Sequence, residues 1–535
     1  MKRRDVLRTA SVAAPAIMTM GTSQASHRDR PMNVILFITD QERAIQHFPP
    51  GWAKENLPGL QLLQRNGLTF DRAFCSSCMC SPSRASLFTG LYPAQHQVTD
   101  TLTFGTDYSN MEHVLPRNVP NLATVMEKVG YEVVYKGKWH ISKPLSNPQT
   151  EEEAELAWRP RDVGIYGFQR WTAPDAGENQ DLTQFGGGYA NNDHRYMTGQ
   201  TDRGAEQEGV LDYLRDRARH RQPFFLVVSL VNPHDVLSYP RTWQEGGYHS
   251  EKWLEGDIEL PKTWDEDLRT KPTAQRQLLV ALAAGIGVLR NKEQRLAYLN
   301  FYGNLLKRVD AYLLRMMEVL HKEGLVDDTL VIRTSDHGEM GLAHGGMRQK
   351  MFNFYEEALR VPLVYSNPRL YPKPLRSEAL VSHVDFLPTM AGFAGAIQRR
   401  IWEGVDYSHL LRHPHGPAPQ DHVLFTYDDI RAGQNVAQLV APPNRIVSIR
   451  EGRWKLARYY DGDGNVPDQW EMYDLLKDPL ETNNLARPGY RPTLEQATQR
   501  ARLTARLEHA QKWRLQPLDR ELVPQPSATE PSSGS

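Results

Sequence analysis

The sequence predicts an α/β protein with a large, mostly parallel β-sheet that is covered by helices on both faces. One observation is a series of short apolar runs without polar alternation, which is typical of strands buried on both faces. A second is the order of these runs, which alternate with helical stretches as parallel sheets require. The predicted buried parallel strands lie at residues 34–38, 132–135, 224–228, 329–332 and 359–364.

The longest helical pattern runs from Leu296 to Glu323. Its apolar residues recur at helical spacing and form one stripe, which comprises Leu299, Tyr302, Leu305, Leu306, Val309, Leu313, Met316, Met317 and Leu320. We expect this stripe to pack against the core.

The pattern changes near residue 420, where short strands and turns replace the longer alternation. The predicted elements are strands at 423–427, 445–449 and 454–459, and an amphipathic helix at 493–512. The sequence therefore predicts a smaller α+β subdomain with an antiparallel sheet. The expected division is a main catalytic α/β domain over 30–420, the subdomain over 421–513, and a disordered Pro-, Ser- and Glu-rich tail over 514–535.

Residues 1–29 have the layout of an export signal. A basic start is followed by a small and apolar stretch from Thr9 to Met20, and Ser23-Gln24-Ala25 fits a signal-peptidase site. Arg3-Arg4 fits the twin-arginine pattern, with an ordinary Sec signal or a frayed terminus as alternatives. We expect export to the periplasm or the extracellular space. No later run of about 18 apolar residues predicts an integral membrane segment.

Charge and cysteine content narrow the possible functions. The net charge of −1, from 63 basic and 64 acidic residues, gives no basic excess for binding nucleic acid. The three cysteines, Cys75, Cys78 and Cys80, lie within six residues. A structural zinc site would lack a nearby fourth ligand. A Cys75–Cys78 disulfide is a second possibility, and it would leave Cys80 unpaired.

Polar residues follow four of the predicted strands. Ligands of open parallel sheets bind beyond the carboxyl ends of the strands, so these residues are expected to share one site. Each alone is weak evidence, because Asp often caps helices and His is often structural. The residues are Asp40 and Gln41, then Lys138 and His140, then His234 and Asp235, then Asp336, His337 and Glu339.

A short helix is predicted after Cys80. Pro82 suits the first turn of a helix and Gly90 suits its end. Cys80 would then lie at the helix N-terminus, where backbone N–H groups favour an anion, with Arg84 one turn away. This arrangement predicts a thiolate of lowered pKa that faces an anionic substrate. A buried, inert cysteine is the alternative.

The ordered motifs resemble those of the sulfatase family over nearly the whole mature chain. Cys80-Ser81-Pro82-Ser83-Arg84, followed by Thr89-Gly90, is similar to the family signature Cys-x-Pro-Ser-Arg. Further similar segments are Asn33–Asp40, Gly130–His140, Ser335–Glu339, Lys350–Pro362, Asp385–Thr389 and Tyr473–Leu485. The resemblance implies an alkaline-phosphatase-like fold.

The resemblance also implies a metal and a modified nucleophile. In this family a maturation enzyme oxidises the signature cysteine, here Cys80, to formylglycine. The hydrated aldehyde attacks the sulfur atom of a sulfate ester. A divalent metal would be held with the modified residue by Asp40, Gln41, Asp336 and His337.

Five other residues receive roles from the resemblance. Arg84, Lys138 and Lys350 would bind and stabilise the sulfuryl oxygens. His234 would protonate the leaving oxygen as a general acid. His140 would remove a proton from the second hydroxyl of the hydrate, which expels sulfate and restores the aldehyde.

Two positions depart from the commonest sulfatase pattern. Gln41 stands where many members have Asp, and His337 stands where many have Asn, which resembles the branch of phosphonate monoester hydrolases and choline sulfatases. We expect Ca²⁺, with Mn²⁺ or Mg²⁺ as alternatives. The nitrogen that His337 offers beside the oxygen ligands favours Mn²⁺ among these alternatives. A hydrogen-bonding role for Gln41 and a surface position for Lys350 remain alternatives.

The predicted function is hydrolysis of a small-molecule or carbohydrate sulfate ester. A phosphonate monoester or phosphodiester hydrolase with the same formylglycine is the alternative, followed by a non-catalytic exported binding protein. Specificity is expected in loops within 141–200 and 236–290. Four other polar residues lie near the motifs and are expected to be mainly structural, namely His96, Thr101, His344 and Arg348.

Overall fold

A computed structural model describes residues 31–44, 47–105, 107–146, 148, 153, 156–177, 190–200, 207–397 and 401–518. The predicted export signal and most of the predicted tail lie outside these residues. Within them, no helix combines the length and apolar character that a bilayer crossing requires.

The predicted α/β architecture is confirmed. The main sheet of the described chain has the strand order β3-β4-β1-β5-β7-β2-β6, and β8 pairs with β2. Its strands are β1 (Asn33–Asp40), β2 (Gly67–Phe74), β3 (Glu132–Gly137), β4 (Phe224–Pro233), β5 (Thr329–Ser335), β6 (Arg360–Val361), β7 (Leu363–Ser366) and β8 (Leu375–Ser382).

The central strands of the sheet are parallel and buried on both faces. β1 lies between β4 and β5, with Ile35 opposite Leu226 on one side and Val331 on the other. Val34 and Ile38 pack into one hydrophobic cluster, whereas Ile35 packs into another. This alternation explains the uninterrupted apolar runs, because each face needs its own apolar side chains.

The prediction of a parallel strand at 359–364 is wrong. The segment forms two short strands, and both run antiparallel to their neighbours β2 and β5. Pro362 separates them, since proline has no N–H to donate to a strand ladder. Strands β2 and β8 were not predicted, because charged residues such as Asp71 and Glu378 interrupt their apolar pattern.

Helices cover the sheet, and the longest of those described carries the predicted apolar stripe. The predicted helix at 296–323 is observed as α10, and its Leu313 and Met316 pack with Phe37 of β1. The α-helices are α1 (Trp52–Asn56), α2 (Pro58–Arg65), α3 (Cys80–Thr89), α4 (Pro93–His96), α5 (Leu122–Glu127), α6 (Pro160–Gly164), α7 (Asn192–Thr198), α8 (Val210–Arg217), α9 (Thr273–Gly285), α10 (Lys292–Lys322), α11 (Ala343–Gly346), α12 (Glu356–Leu359), α13 (Phe386–Ala394), α14 (Ser408–Arg412) and α15 (Leu494–Trp513).

The C-terminal region contains a separate antiparallel sheet, as predicted. Its order is β12-β11-β10-β9, and helix α15 packs on it through Leu503 and Leu507. The strands are β9 (His422–Tyr427), β10 (Arg445–Glu451), β11 (Trp454–Tyr460) and β12 (Gln469–Asp474). β12 was not predicted, and the division at residues 420 and 421 stays a prediction.

Candidate active site

Four strand ends of the main sheet meet at its carboxyl edge. β1 ends at Asp40, and β5 is followed directly by Asp336, whose N–H donates to the Thr39 carbonyl at 3.1 Å. β3 is followed by Lys138, and β4 by His234. The predicted convergence of polar residues at one edge is therefore observed.

Helix α3 presents Cys80 to this edge. Met79 precedes the helix in an extended conformation, and Gly90 ends it in the left-handed region with φ 69°. Every residue of α3 is buried. Cys80 thus lies in the first turn of a fully buried helix, where unpaired backbone N–H groups favour negative charge.

Four side chains offer a set of metal ligands. One ligand atom each from Asp40, Cys80, Asp336 and His337 lies within 4.8 Å of the others, and all four residues are buried. His337 Nε2 lies 3.2 Å from Cys80 Sγ and 3.6 Å from Asp40 Oδ1. Two carboxylates and an imidazole are suitable donors for a divalent cation, so these residues fit one.

Arg84 and Lys138 neutralise the two carboxylates. The Arg84 guanidinium ion-pairs with Asp336 at 2.9 Å and with Asp40 at 3.2 Å. Lys138 Nζ lies 2.6 Å from Asp40 Oδ2. Although burial raises the pKa of Asp40, the charges of Lys138 and Arg84 help to hold it well below its ordinary value.

Gln41 and Lys350 contact each other within the site. Lys350 Nζ donates to Gln41 Oε1 at 2.8 Å, and Gln41 Nε2 donates to Glu339 Oε2 at 2.5 Å. Both residues are buried, so Lys350 is not a surface residue. The side-chain amide of Gln41 is oriented by these two partners, and its role as a metal ligand stays a prediction.

His140 has one ring nitrogen free to accept a proton. Its Nε2 lies 2.8 Å from the Leu102 carbonyl, which can only accept, so Nε2 carries the hydrogen. In the described part of the chain Nδ1 has no hydrogen-bond partner, although it is buried. Burial and the charge of Lys138 hold the pKa of the imidazole well below its ordinary value. His140 is therefore neutral, with Nδ1 as the acceptor.

His234 lies on the same edge and lines the same cavity. Burial holds its pKa well below the ordinary value, while Asp40 opposes this effect and Lys138 adds to it. An anionic ester beside the ring would raise the pKa, because a nearby negative charge favours the imidazolium. The next residue, Asp235, accepts hydrogen bonds from Asn232 and Tyr248, which anchors this turn.

The expectation of a lowered pKa at Cys80 is wrong. Burial and the carboxylate of Asp40 raise the pKa of this thiol to about 11, against the opposing charges of Lys138 and Lys350. The unmodified side chain is therefore a neutral thiol near pH 7. Cys75 and Cys78 are also free, so the possible disulfide between them is absent.

A cavity of about 390 Å³ opens above Cys80. His140, His234 and Lys350 lie on its walls, as does Thr101. The other three polar residues that the sequence places near the motifs have structural contacts instead: His96 pairs with Ser86, His344 with Glu266, and Arg348 with the Gly287 carbonyl.

Two features of the cavity were missed in the sequence. Gly177, with φ 123°, lies so close to His140 that a Cβ there would be 2.5 Å from Nδ1. The loop 432–439 of the C-terminal region closes one side of the cavity. The predicted specificity ranges contain Gly177 and the residues of α9, but nothing in the sequence pattern links 432–439 to the site.

The sequence profile described as Sulfatase matches residues 32–396, and that described as N-sulphoglucosamine sulphohydrolase, C-terminal, matches residues 344–512. The chain belongs to the sulfatase family. This sulfatase is accordingly a sulfuric ester hydrolase, and the first of the two profiles contains every strand end of the site.

Relatives of this sulfatase include a choline-sulfatase, one of the two kinds of enzyme that its motifs resemble, and a sulfatase named for a carbohydrate substrate. Choline-sulfatase of Rhizobium meliloti is 28% identical over 503 residues, which cover 91% of this chain and 88% of that protein. Delta 4,5-hexuronate-2-O-sulfatase of Bacteroides thetaiotaomicron is 25% identical over 430 residues, which cover 79% of this chain and 78% of that protein.

Solved structures support the fold of this sulfatase. A 2-O GAG sulfatase superposes with a TM-score of 0.67 at 21% identity, covering 90% of this chain and 92% of that one. The phosphonate monoester hydrolase of Agrobacterium radiobacter superposes with a TM-score of 0.62 at 22% identity, covering 90% of this chain and 95% of that one. The predicted resemblance and fold class are confirmed.

Proposed function

We propose that this sulfatase hydrolyses sulfate monoesters with a formylglycine formed from Cys80. The observation that carries the proposal is that Cys80, which lines the cavity, lies beside the buried side chains of Asp40, Asp336 and His337. A buried thiol of raised pKa is a poor nucleophile, which favours a modified side chain at this position.

The same residues would hold one divalent cation. Asp40, Asp336 and His337 would be ligands together with the modified residue 80. Gln41 would be a further ligand if its amide oxygen, which now accepts a hydrogen bond from Lys350, contacted the ion instead. We propose Ca²⁺ because oxygen donors predominate, with Mn²⁺ or Mg²⁺ as alternatives. When bound, the cation adds positive charge where the sulfuryl oxygens gain negative charge.

Formylglycine requires a separate maturation enzyme. That enzyme replaces the sulfur of Cys80 with a carbonyl oxygen at Cβ, which releases sulfide and transfers two electrons to an oxidant that the maturation enzyme uses. The hydrate of this aldehyde supplies two hydroxyl groups, one to attack sulfur and one through which the aldehyde is restored.

The surrounding side chains would bind the ester and move its protons. Arg84, Lys138 and Lys350 provide fixed positive charge in a buried site, where such charge stabilises an anion far better than in water. His234 would donate a proton to the leaving alkoxide once the ester has raised its pKa. His140 would accept the proton of the second hydroxyl at Nδ1.

The full-length protein is proposed to be exported. The basic start and the small, apolar stretch within residues 1–29 support a twin-arginine signal and a final location in the periplasm or outside the cell. We also propose the domain division at residues 420 and 421, which the separate four-stranded sheet supports.

The central experiment combines mass spectrometry with turnover. Protein made in a host that forms formylglycine should yield a Cys80 peptide with an aldehyde and should hydrolyse an aryl sulfate faster than the matched aryl phosphonate. Cys80→Ala should fold and lose turnover. Faster phosphonate hydrolysis would establish the alternative function, and an unmodified thiol or full activity of Cys80→Ala would overturn the proposal.

A further inference from the structure

The cavity above Cys80 is apolar beyond its floor. Three segments form its outer wall: the residues after His234, helix α9 with the residue that follows it, and the loop 432–439. The wall-forming side chains are Leu237, Ala281, Leu282, Ile286, Val436 and Leu439. Resting on the proposed function, we propose that the ester hydrolysed here is the sulfate of an uncharged, apolar alcohol or phenol, whose hydrocarbon body lies between α9 and this loop.

The charge of the wall supports this substrate class. Of the described residues that line the cavity, only Lys350 has a permanently charged side chain. A uronic acid or a second sulfate on the alcohol would need a further Arg or Lys. A quaternary ammonium group would need aromatic faces or a carboxylate, and the described lining contains no Trp, Tyr, Phe, Asp or Glu.

A polyhydroxylated alcohol also fits the wall poorly. Each sugar hydroxyl that leaves water needs a hydrogen-bond partner, and a buried hydroxyl without one weakens binding. The polar side chains that the described lining adds to the catalytic groups are those of Thr101, Gln349 and Gln434. The apolar side chains instead favour a hydrocarbon body, because removal of apolar surface from water is favourable.

The size and opening of the cavity fit a compact body. Its volume of about 390 Å³ lies at the lower end of the range for small-molecule pockets. Ala281, Ala284 and Gly285 leave space along α9, and Val436 remains 38% exposed on the opposite side. Exposed apolar side chains at the rim of an apolar cavity are typical of ligand-binding sites, where the ligand covers them.

Binding to an inactive variant tests the substrate class without turnover. We would titrate metal-loaded Cys80→Ala with 2-naphthyl sulfate, glucosamine 6-sulfate and choline sulfate by calorimetry. All three carry the same sulfate group, so differences in Kd report on the alcohol. We expect 2-naphthyl sulfate to bind at least 10-fold more tightly than either of the others. Equal or weaker binding of 2-naphthyl sulfate would overturn the inference.

A matched pair of variants tests the location of the hydrocarbon body. Val436 and Val466 have almost equal exposure, 38% and 36%, but Val436 alone of the two lines the cavity. In the Cys80→Ala background, Val436→Asn should weaken 2-naphthyl sulfate binding about 5-fold, and Val466→Asn should leave Kd unchanged. Equal effects of the two substitutions would refute the proposed position.

Turnover separates the failure of this inference from the failure of the proposed function. The formylglycine-bearing enzyme should have a higher kcat/KM for 2-naphthyl sulfate than for glucosamine 6-sulfate. The reverse preference would overturn the substrate class and leave sulfate ester hydrolysis intact. Absence of turnover with every sulfate ester would overturn the proposed function and, with it, this inference.

Discussion

His140 can accept a proton because a glycine leaves space beside its ring. Nε2 is committed to the Leu102 carbonyl, and Nδ1 is buried beside Gly177 without a partner in the described structure. A side chain at position 177 would crowd this nitrogen, because even a Cβ there would lie 2.5 Å from Nδ1. The proposed base therefore depends on a residue that has no functional group of its own.

Gly177→Ala should lower kcat while leaving the fold intact. The new Cβ would lie 2.5 Å from His140 Nδ1 and 2.7 Å from Lys138 Cε, so the imidazole must shift. Because general base catalysis contributes about 10²–10⁴-fold, we expect a loss of roughly 100-fold in kcat. The measurement is steady-state hydrolysis of an aryl sulfate, with circular dichroism as the check on folding.

Gly130→Ala is the matched control for this substitution. Gly130 also has a positive φ, 94°, but no atom lies within 4 Å of the position of a new Cβ. Both variants carry a backbone penalty of about 1 kcal/mol or more in a conformation that favours glycine. If Gly130→Ala lost as much kcat as Gly177→Ala, the contact with His140 would not be the cause.

For single residues, the sequence predicts membership of the site better at the end of a strand than within a loop. Asp40, Lys138 and Asp336 were predicted as neighbours because parallel strands bring their carboxyl ends together. The orientation of Gln41 toward Glu339 and the closeness of Gly177 to His140 depend on tertiary packing, which leaves no local pattern.

Among the elements, helical turn α11 is attached to its surroundings through a buried ion pair. His344 Nδ1 lies 2.6 Å from Glu266, and Nε2 lies 3.6 Å from Glu357. Glu481 of the C-terminal region offers a third carboxylate, and the ring of Tyr355 stacks on the imidazole. Despite burial, these acidic partners raise the pKa of His344 to about 9.

The ion pair makes part of the stability depend on pH. A raised folded-state pKa means that the contribution of His344 is fully present below about pH 6.5 and is lost as pH rises through about 9. We expect His344→Gln to lower the free energy of unfolding by roughly 3 kcal/mol at pH 6 and by much less at pH 10. Urea denaturation of both proteins at several pH values measures this difference, and a difference that grows with pH would contradict the assignment.

Helix α15 is held to the second sheet by one face. Leu503 is fully buried against the sheet, whereas Leu494 at the start of the same helix is 85% exposed. We expect Leu503→Ala to lower the free energy of unfolding of this region by about 2–5 kcal/mol, and Leu494→Ala by under about 0.5 kcal/mol. Hydrogen exchange of β10 and β11 reports the local effect, and similar exchange in the two variants would count against this packing role.

Predictions of the elements succeeded where the sequence pattern is continuous. The runs at 34–38 and 224–228 are buried on both faces, so every residue in them is apolar. The apolar run at 359–364 gave no information on direction, and its strands proved antiparallel. Strands β2 and β8 combine apolar and charged residues, a pattern that matches loops as well as strands.

The site as a whole joins the two parts of the molecule. The main sheet supplies the polar floor, and the C-terminal region supplies the loop 432–439. The site also concentrates charge, since Arg84 and Lys138 ion-pair with the carboxylates of the candidate metal ligands and Lys350 contacts Gln41. These candidate ligands come from β1, α3 and the residues after β5, so a bound divalent cation would stabilise the fold that brings these elements together.

Metal removal should lower the melting temperature together with activity. A free cation concentration of 100 times Kd stabilises the folded state by about 2.7 kcal/mol, which corresponds to roughly 2–3 °C in Tm for a chain of this length. Calorimetry before and after treatment with a chelator measures the shift, and re-addition of Ca²⁺, Mn²⁺ or Mg²⁺ identifies the ion. Asp336→Asn, which lacks one carboxylate, should show little change with chelator; a full shift in that variant would exclude Asp336 as a ligand.

The complete burial of helix α3 bears on when Cys80 could be modified. Cys80 is 3% exposed, and in the described structure it opens into a cavity of about 390 Å³, which admits a small ester but not the active site of another enzyme. If Cys80 is converted to formylglycine as we propose, oxidation of its Cβ would have to precede folding, while the segment is still extended. A chain that folded first would keep an inactive thiol, so the expression level and the supply of the oxidising enzyme would together determine the active fraction of any preparation.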